Sequence, residues 1–224
     1  MKLRASLTFA LLCAAAGLFL TPPAAARHRQ RKDRGERARG ADTAVVLRYP
    51  DQENGADAFA RHTWTTDVVV LKYRTDADAR LGRAPYARAT AHGNLLLTAG
   101  ITRLGNLLVG AGGTAFNATN SRIGVGDGVT APAIGNTDLS AVAGSTHRWF
   151  QLVDATPSCT TNVITFHATF ASADGNFAWN EFGTDNGTAS GNTVTAPLLN
   201  RSVPSTLGTK TGGSWALTET ITIS

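Results

Sequence analysis

The feature of this sequence that most restricts its fold is a strict two-residue alternation near the C-terminus. In "VITFHATF" (163–170), one face holds Ile164, Phe166, Ala168 and Phe170, while Thr165, His167 and Thr169 form the other. In the closing "SWALTETITIS" (214–224), Trp215, Leu217, Ile221 and Ile223 lie opposite Thr218, Thr220 and Thr222. This period is typical of antiparallel strands with one buried face. We expect the closing strand to be held inside a sheet.

Other segments rich in β-branched and aromatic residues are separated by turn residues such as Gly, Asp and Asn. They are "TAVVLRYP" (43–50), "TTDVVVLKY" (65–73), "RIGVG" (122–126), "HRWFQLVD" (147–154), "FAWNEF" (177–182) and "PLLNRSV" (197–203). Short strands at such regular spacing predict a mainly β fold, an antiparallel β-sandwich.

One amphipathic helix is predicted within "NLLLTAGITRLGNLLVG", at about residues 98–110. Its predicted apolar face consists of Ile101, Leu104, Leu107 and Leu108. A single helix of about three turns cannot bury its own face, so we expect it to pack on a sheet. Leu95–Leu97 is expected to be a strand leading into it. Thr75 is a candidate N-cap for one further helical turn.

The N-terminal residues differ from the rest in composition and charge. Residues 1–26 combine Lys2 and Arg4 with an apolar run and "AAA", which is the layout of a secretory signal peptide; the alternative is a misassigned start codon. Residues 27–42 are basic, lack a hydrophobic pattern and are predicted to be a disordered linker. Residues 43–224 are predicted to form a single β-rich domain.

The net charge of +5 does not describe that domain. From Ala41 onward the sequence has 12 Arg and Lys against 14 Asp and Glu. A basic face for nucleic acid is therefore not expected. Of the two cysteines, Cys13 lies in the signal-like segment, so its removal would leave Cys159 alone and exclude an intrachain disulfide.

The stretch "NFAWNEFGTDNG" (176–187) is the strongest candidate for chemistry. Alternation from Phe177 would place Glu181 beside Trp179, where a carboxyl could act as a general acid with a raised pKa. The alternative is a carboxylate paired with an arginine such as Arg201 or Arg122. We favour the second, a scaffold, and expect Trp179 and Trp215 to be core residues.

The remaining motifs give no site. "GDG" and "GTDNG" could offer oxygen ligands to Ca²⁺, but they lack a D-x-D-x-D-G loop and are ordinary turn sequences. The five histidines show no zinc-binding spacing, and neither a phosphate loop nor a G-x-S-x-G elbow is present. We therefore predict no catalytic, cofactor-binding or metal-ligating residue, no cofactor and no enzymatic activity.

From about residue 68 to 224 the order of segments resembles a family of tailed-bacteriophage virion proteins, tail or tail-fibre-associated structural components. The resemblance is carried by "VVVLKYRTDADARLGRAPY", "GNLLLTAGITRLGNLLVG", "TAFNATNSRIGVGDG", "TFHATFASADGNFAWNEFGTDNG", "LLNRSVPSTLGTK" and "WALTETITIS". The order of these segments is also similar to tail-collar fibre domains. The resemblance implies a β scaffold that displays loops and assembles with copies of itself.

Three classes of function follow. The first is a virion structural protein in the phage tail, with other virion proteins and copies of itself as partners and a host-surface receptor or glycan as a further candidate. The second, supported by residues 1–26, is a secreted β-sandwich binding or adhesion module of a bacterial host. A secreted hydrolase is third. In none of them does the mature domain need a membrane.

Overall fold

A computed structural model of the protein describes residues 63–224. In this range the chain is mainly β and forms an antiparallel β-sandwich of two five-stranded sheets, with short helices, which confirms the predicted fold class. The signal-like segment (1–26), the basic linker (27–42) and the predicted strand at 43–50 lie outside the described residues.

The strands in chain order are β1 (Trp64–Tyr73), β2 (Ala87–His92), β3 (Leu95–Leu96), β4 (Arg122–Gly126), β5 (Arg148–Leu152), β6 (Ser158–Thr160), β7 (Val163–Phe170), β8 (Glu181–Asp185), β9 (Asn200–Ser202) and β10 (Ser214–Ile223). The helices are α1 (Asp76–Arg80) and α2 (Thr98–Leu108). Sheet A has the order β2-β1-β10-β7-β6, and sheet B has the order β3-β9-β8-β4-β5.

The closing strand occupies the centre of sheet A, as the alternation predicted. β10 pairs along its length with β1 on one side, from Trp64 opposite Ile223 to Tyr73 opposite Ser214. On its other side it pairs with β7, where Trp215 lies opposite Phe170. The last residues of the chain therefore hold sheet A together.

The space between the sheets is filled by the inward face of each strand. The fully buried apolar side chains include Val68, Val70, Ile123, Val125, Phe166, Phe170, Phe182, Leu217 and Ile221. Trp179 and Trp215 are also buried, with ring centroids 4.9 Å apart, and Phe170 packs 4.6 Å from Trp179. The expectation that both tryptophans belong to the core is confirmed.

The predicted strand at 177–182 is only partly correct, because strand β8 begins at Glu181. The preceding residues are irregular, and Trp179 is held by its backbone N–H, which donates to the Gly208 carbonyl at 2.8 Å. Its indole Nε1 donates to the Gly175 carbonyl at 2.8 Å. The irregular backbone breaks the alternation, so Trp179 enters the core while Glu181 points to the opposite side of sheet B.

Helix α2 confirms the predicted helix, but its predicted apolar face is only half correct, because Leu104 and Leu107 are half-buried and the other two residues are exposed. Leu104 contacts the core, whereas Ile101 and Leu108 are 46% and 87% exposed. The reason is Gly100, where an added Cβ would lie 2.2 Å from the Leu199 carbonyl oxygen. This close backbone contact fixes the rotation of the helix about its axis and leaves the side chain of Ile101 outward.

Strand β2 was not predicted from the sequence "ARATAH". Its inward residues include Ala89 and Ala91, which are half-buried against the core. Alanine has a low strand propensity, so the alternation carried little signal. Pairing with β1, where Asp67 faces His92 and Lys72 faces Ala87, establishes this strand.

We predict that Trp179→Ala and Trp215→Ala each lower the free energy of unfolding by about 3–5 kcal/mol, because each removes a fully buried ring. Urea unfolding followed by circular dichroism measures the change. The control is Tyr86→Ala, since Tyr86 is 50% exposed and should lose less than about 1 kcal/mol. A tryptophan variant as mild as the control would contradict the core assignment.

Candidate functional site

The candidate acid of the sequence, Glu181, is fully buried on the face of sheet B that points away from sheet A. Its carboxylate accepts hydrogen bonds from the backbone N–H groups of Ser140 at 3.0 Å and Ala141 at 2.7 Å, and from the Ser140 hydroxyl. Arg201 donates from Nε at 2.8 Å and from Nη2 at 2.6 Å. Glu181 is therefore paired with an arginine, as the alternative interpretation expected. Its two oxygens are both used within the protein, and they hold the loop at Ser140 and Ala141.

A second buried ion pair lies at the other end of strand β8. Arg122 of β4 and Asp185 are 1% and 0% exposed, and the guanidinium binds both carboxylate oxygens, with Nε 2.8 Å from Oδ1. Arg122 also donates to the carbonyl of Ala189 at 2.7 Å and to the hydroxyl of Thr195 at 3.0 Å. The pair therefore anchors the segment that follows β8.

Two further arginine contacts complete the arrangement. Arg148 donates to Asp138 at 2.8 Å and to the Asn192 carbonyl at 2.8 Å. Arg201 reaches the Thr130 carbonyl at 2.7 Å. We call residues 127–147 and 186–198 the loop layer, because these arginines hold both segments over the outer face of sheet B.

Glycines in strands β4 and β8 permit close packing on the outer face of sheet B. An added Cβ at Gly124 would lie 2.4 Å from the ring of Phe150. At Gly183 it would lie 2.7 Å from the Asn200 carbonyl oxygen and 3.1 Å from Leu198. The glycines of "RIGVGDG" and "FGTDNG" thus serve close packing, and we find no ligand cradle at them.

A polar network that the sequence reasoning missed lies between the two sheets. Glu219 points inward from β10 and is fully buried. Its carboxyl accepts from the amides of Asn200 at 2.6 Å and Asn94 at 3.1 Å, and it hydrogen-bonds the Thr184 hydroxyl. Asn94 in turn accepts from Trp64 Nε1 at 2.9 Å. Its position in the sequence could have indicated this burial, because residue 219 lies on the same face of β10 as the buried Leu217 and Ile221.

No cation of the described residues pairs with Glu219. Burial raises the pKa of Glu219 from 4.5 to about 7, although the hydrogen bonds from Thr184, Asn200 and Asn94 act in the opposite direction. The network therefore joins strands of both sheets through a carboxyl group whose ionisation is unfavourable.

Lys210, like Glu219, is a buried ionisable residue that the sequence analysis did not identify. Its ammonium donates to the carbonyls of Ala171 at 2.8 Å and Asp174 at 2.7 Å and to Asn176 Oδ1 at 2.9 Å. Burial lowers the pKa of Lys210 to about 8, while Asp174 and Asp76 act against this shift. The ammonium closes the turn after β7, and its full burial removes it from external ligands.

The histidines that the structure describes are each paired with a separate aspartate. The pairs are His92 with Asp67 at 2.7 Å, His147 with Asp127 at 2.7 Å and His167 with Asp154 at 2.9 Å. Within residues 63–224 no group of three His, Cys, Asp or Glu side chains is placed to hold a metal ion. Asp127 and Asp185, the acids of the weighed Ca²⁺ motifs, are apart: Asp127 contacts His147, and Asp185 binds Arg122.

One shallow cavity of about 380 Å³ opens beside α1 at the end of sheet A. Its polar lining includes Asp76, Arg80, Asp154, His167 and Ser214. Asp154 already accepts from the Thr169 hydroxyl at 2.6 Å, and Asp76 accepts from the Ser172 hydroxyl at 2.7 Å. The cavity offers a polar surface on which a small ligand could rest, but its carboxylates are engaged with the protein.

Comparisons with protein-family models, with curated proteins and with solved structures return no match to this chain. In the part of the chain that the structure describes, no helix is both long and apolar enough to cross a membrane.

We predict that Glu181→Gln lowers the free energy of unfolding by about 3–5 kcal/mol, because it leaves the Arg201 guanidinium buried without its counter-charge. The measurement is chemical denaturation at neutral pH. The double variant Glu181→Leu/Arg201→Met should regain part of the loss, since it removes both buried charges. Asp67→Asn, which breaks an exposed pair, is the control and should change stability by less than about 1 kcal/mol. Equal effects of Glu181→Gln and the control would contradict this account.

We also predict a pH dependence that comes from Glu219. Its folded pKa of about 7 lies above the unfolded value of 4.5, so its contribution to stability is complete below pH 4.5 and is lost as pH rises to about 7. The loss amounts to about 3 kcal/mol. Glu219→Gln, which mimics the neutral carboxyl, should abolish it and be the more stable protein at pH 8. The measurement is the free energy of unfolding from pH 4 to 8, and parallel profiles for the two proteins would contradict the prediction.

Proposed function

We propose that this chain is a structural protein of a tailed-bacteriophage virion, associated with the tail or tail fibre, where it acts as a self-assembling β scaffold. Its partners in this proposal are other virion proteins and copies of itself. The role is non-catalytic and needs no cofactor.

The observation that carries the scaffold role is the use of buried charge around sheet B. Arg122, Arg148 and Arg201 are almost fully buried, and their guanidinium groups bind carboxylates and carbonyl groups of the same chain. A catalytic or ligand-binding site needs polar groups that face a cleft and still have hydrogen-bonding capacity for a ligand. Here the buried charge maintains the conformation of the loop layer, which is what a loop-displaying scaffold requires.

The assembly role is supported by apolar side chains at the surface. Among residues 63–224, the exposed large hydrophobic residues are Leu81, Tyr86, Ile101, Leu108, Val109, Val129, Ile134, Val142 and Ile223. Single residues of this kind are ordinary on protein surfaces, but three of them belong to or directly follow α2, and Ile134 lies at its first turn. Such grouping favours a surface that is covered by another protein.

The phage assignment is supported by the sequence resemblance. The segments that carry it include "RIGVGDG" and "FAWNEFGTDNG", which are the strands and turns that build the ion pairs of sheet B. The resemblance thus includes residues that hold the scaffold, such as Arg122, Glu181 and Asp185, as expected if the family shares an architecture.

The second candidate function is a secreted binding or adhesion module. The signal-like residues 1–26 favour it, as does the polar cavity beside His167. A carbohydrate or another polar ligand would suit the hydrogen-bonding groups of that cavity.

We predict that the purified protein forms a closed, symmetric multimer, because a structural protein must bury surface against its neighbours. Sedimentation equilibrium over a hundredfold concentration range measures the mass. Treatment with EDTA should leave both the mass and the melting temperature unchanged. A strictly monomeric protein at the highest concentration would contradict self-assembly, and a large loss of stability in EDTA would contradict the metal-free scaffold.

The two candidate functions predict that the protein is found in different places. We expect mass spectrometry of purified phage particles to find the protein with residues 1–26 present or never translated, at a fixed ratio to the known tail proteins. Detection only in particle-free culture medium, with a new N-terminus after about residue 26, would overturn the virion proposal and favour the secreted module.

A further inference from the structure

A buried amine and a side-chain amide meet beside the turn that follows β7. Lys210 is fully buried, and its Nζ lies 2.9 Å from Oδ1 of Asn176. Because a carbonyl bond is about 1.2 Å long, Cγ of Asn176 lies within about 4 Å of the amine. Reacting atoms that are held about 3–3.5 Å apart are in position to react. The fold therefore brings the amine close to the position from which it can attack the amide carbon.

The surrounding chain holds the two groups in this arrangement. The segment that carries Lys210 runs antiparallel to the segment that follows Asn176, with a bridge between Ala178 and Thr209. The amide group is also oriented, because its Nδ2 donates to the Ser172 carbonyl at 2.8 Å. Its Oδ1 is therefore left to accept the hydrogen bond from Lys210.

The Lys210 amine loses its proton more easily than that of an ordinary lysine. Burial lowers the pKa of Lys210 to about 8, although Asp174 and Asp76 act in the opposite direction. A neutral amine has the lone pair that attacks a carbonyl carbon, and desolvation is one way in which proteins produce it. No carboxylate of the described residues forms an ion pair with Lys210. An amide bond at Nζ would remove this buried charge altogether.

Asn176 differs from the other oxygen donors around Nζ. The others are backbone carbonyls, those of Ala171 at 2.8 Å, Asp174 at 2.7 Å and Ser172 at 3.5 Å. Attack on a backbone carbonyl would break the chain, whereas the nitrogen of a side-chain amide can depart as ammonia. Asn176 is exposed, so the ammonia has a path to solvent.

We propose that Lys210 and Asn176 form an intramolecular isopeptide bond. A bond forms between Nζ and Cγ, and the bond between Cγ and Nδ2 breaks. The neutral amine gives up one proton, Nδ2 gains one, and ammonia leaves, so the reaction needs no oxidant, reductant or cofactor. Of the two acids that act on Lys210, Asp174 has the larger effect, and burial raises the pKa of its carboxyl group. Asp174 is therefore the group to which this proton transfer is assigned.

The bond would tie the turn after β7 to the segment before β10 and enclose β8 and β9 in a covalent loop. Such a loop would resist unfolding under force, which suits a virion protein and a secreted adhesion module alike. The inference therefore goes beyond the proposed function, and its failure would leave the virion proposal unaffected.

Peptide mass spectrometry of the full-length protein tests the bond. After incubation for a day at about pH 9, where most of the Lys210 amine is neutral, trypsin should release residues 149–201 joined to residues 202–224. The joined peptide should be uncut after Lys210 and lighter by one ammonia, about 17 Da, than the two peptides together. Separate peptides that are cut after Lys210 would overturn the proposal.

Three variants identify the reacting side chains. Lys210→Arg keeps a positive charge but should give no joined peptide. Its matched control is Lys72→Arg, since Lys72 is the other lysine of residues 63–224 and donates to the Leu207 carbonyl at 2.7 Å; this variant should remain joined. Asn176→Ala removes the amide at an exposed position, so it should fold as judged by circular dichroism and stay unjoined. A joined peptide in folded Asn176→Ala would exclude Asn176 as the partner.

Asp174→Asn tests the assigned proton transfer. In freshly purified protein it should lower the fraction of joined peptide at least tenfold, while the circular dichroism spectrum stays that of the wild type. A fraction equal to that of the wild type would remove Asp174 from the reaction.

Discussion

The bond between the Arg201 guanidinium and the Glu181 carboxylate determines the position of much of the loop layer. Both groups are buried, so neither can be satisfied by water, and each needs the other. The Glu181 carboxylate uses its remaining capacity on the N–H groups of Ser140 and Ala141, and Arg201 reaches back to the Thr130 carbonyl. Because a buried unpaired charge is so unfavourable, the conformation of the first loop is linked to the integrity of strands β8 and β9. Arg122 and Asp185 impose the same requirement on the second loop.

The two faces of sheet B therefore follow different physical rules. The inner face is mostly apolar, with Val125 and Phe182 in the core, and Thr184 and Asn200 form its polar contact with Glu219. The outer face combines ion pairs with glycines, and there the geometry is demanding because hydrogen bonds are directional and Gly124 and Gly183 leave no room for a Cβ. A scaffold that must present loops in one conformation gains from this arrangement. Glu219 is a different case: no cation of the described residues lies beside its carboxyl, and its raised pKa predicts a weaker contact between the sheets at neutral pH than in mild acid.

Helix α2 links the fold to the proposed assembly. Gly100 lets the helix lie directly against the backbone of Leu199. This contact, rather than the positions of the apolar side chains alone, determines which side of the helix is buried. The sandwich therefore leaves apolar surface of the helix exposed at Ile101, Leu108 and Val109. A packing constraint within the fold thus leaves apolar surface exposed, of the kind that the proposed self-assembly would cover.

The sequence alone determined the strands whose side chains alternate, because a period of two follows directly from strand geometry. This period predicted β7, β10, the mainly β class and the burial of Trp215, and helical spacing predicted α2. Trp179 is buried as predicted, although the alternating strand expected around it is irregular before Glu181. The pairing of Glu181 with an arginine was also predicted, with Arg201 and Arg122 as the candidates. Only the tertiary structure decided which arginine it is, how α2 is rotated, that "ARATAH" is a strand and that Glu219 and Lys210 are buried. These depend on contacts between residues far apart in the chain, such as Gly100 with Leu199 and Glu219 with Asn94, which local patterns do not encode.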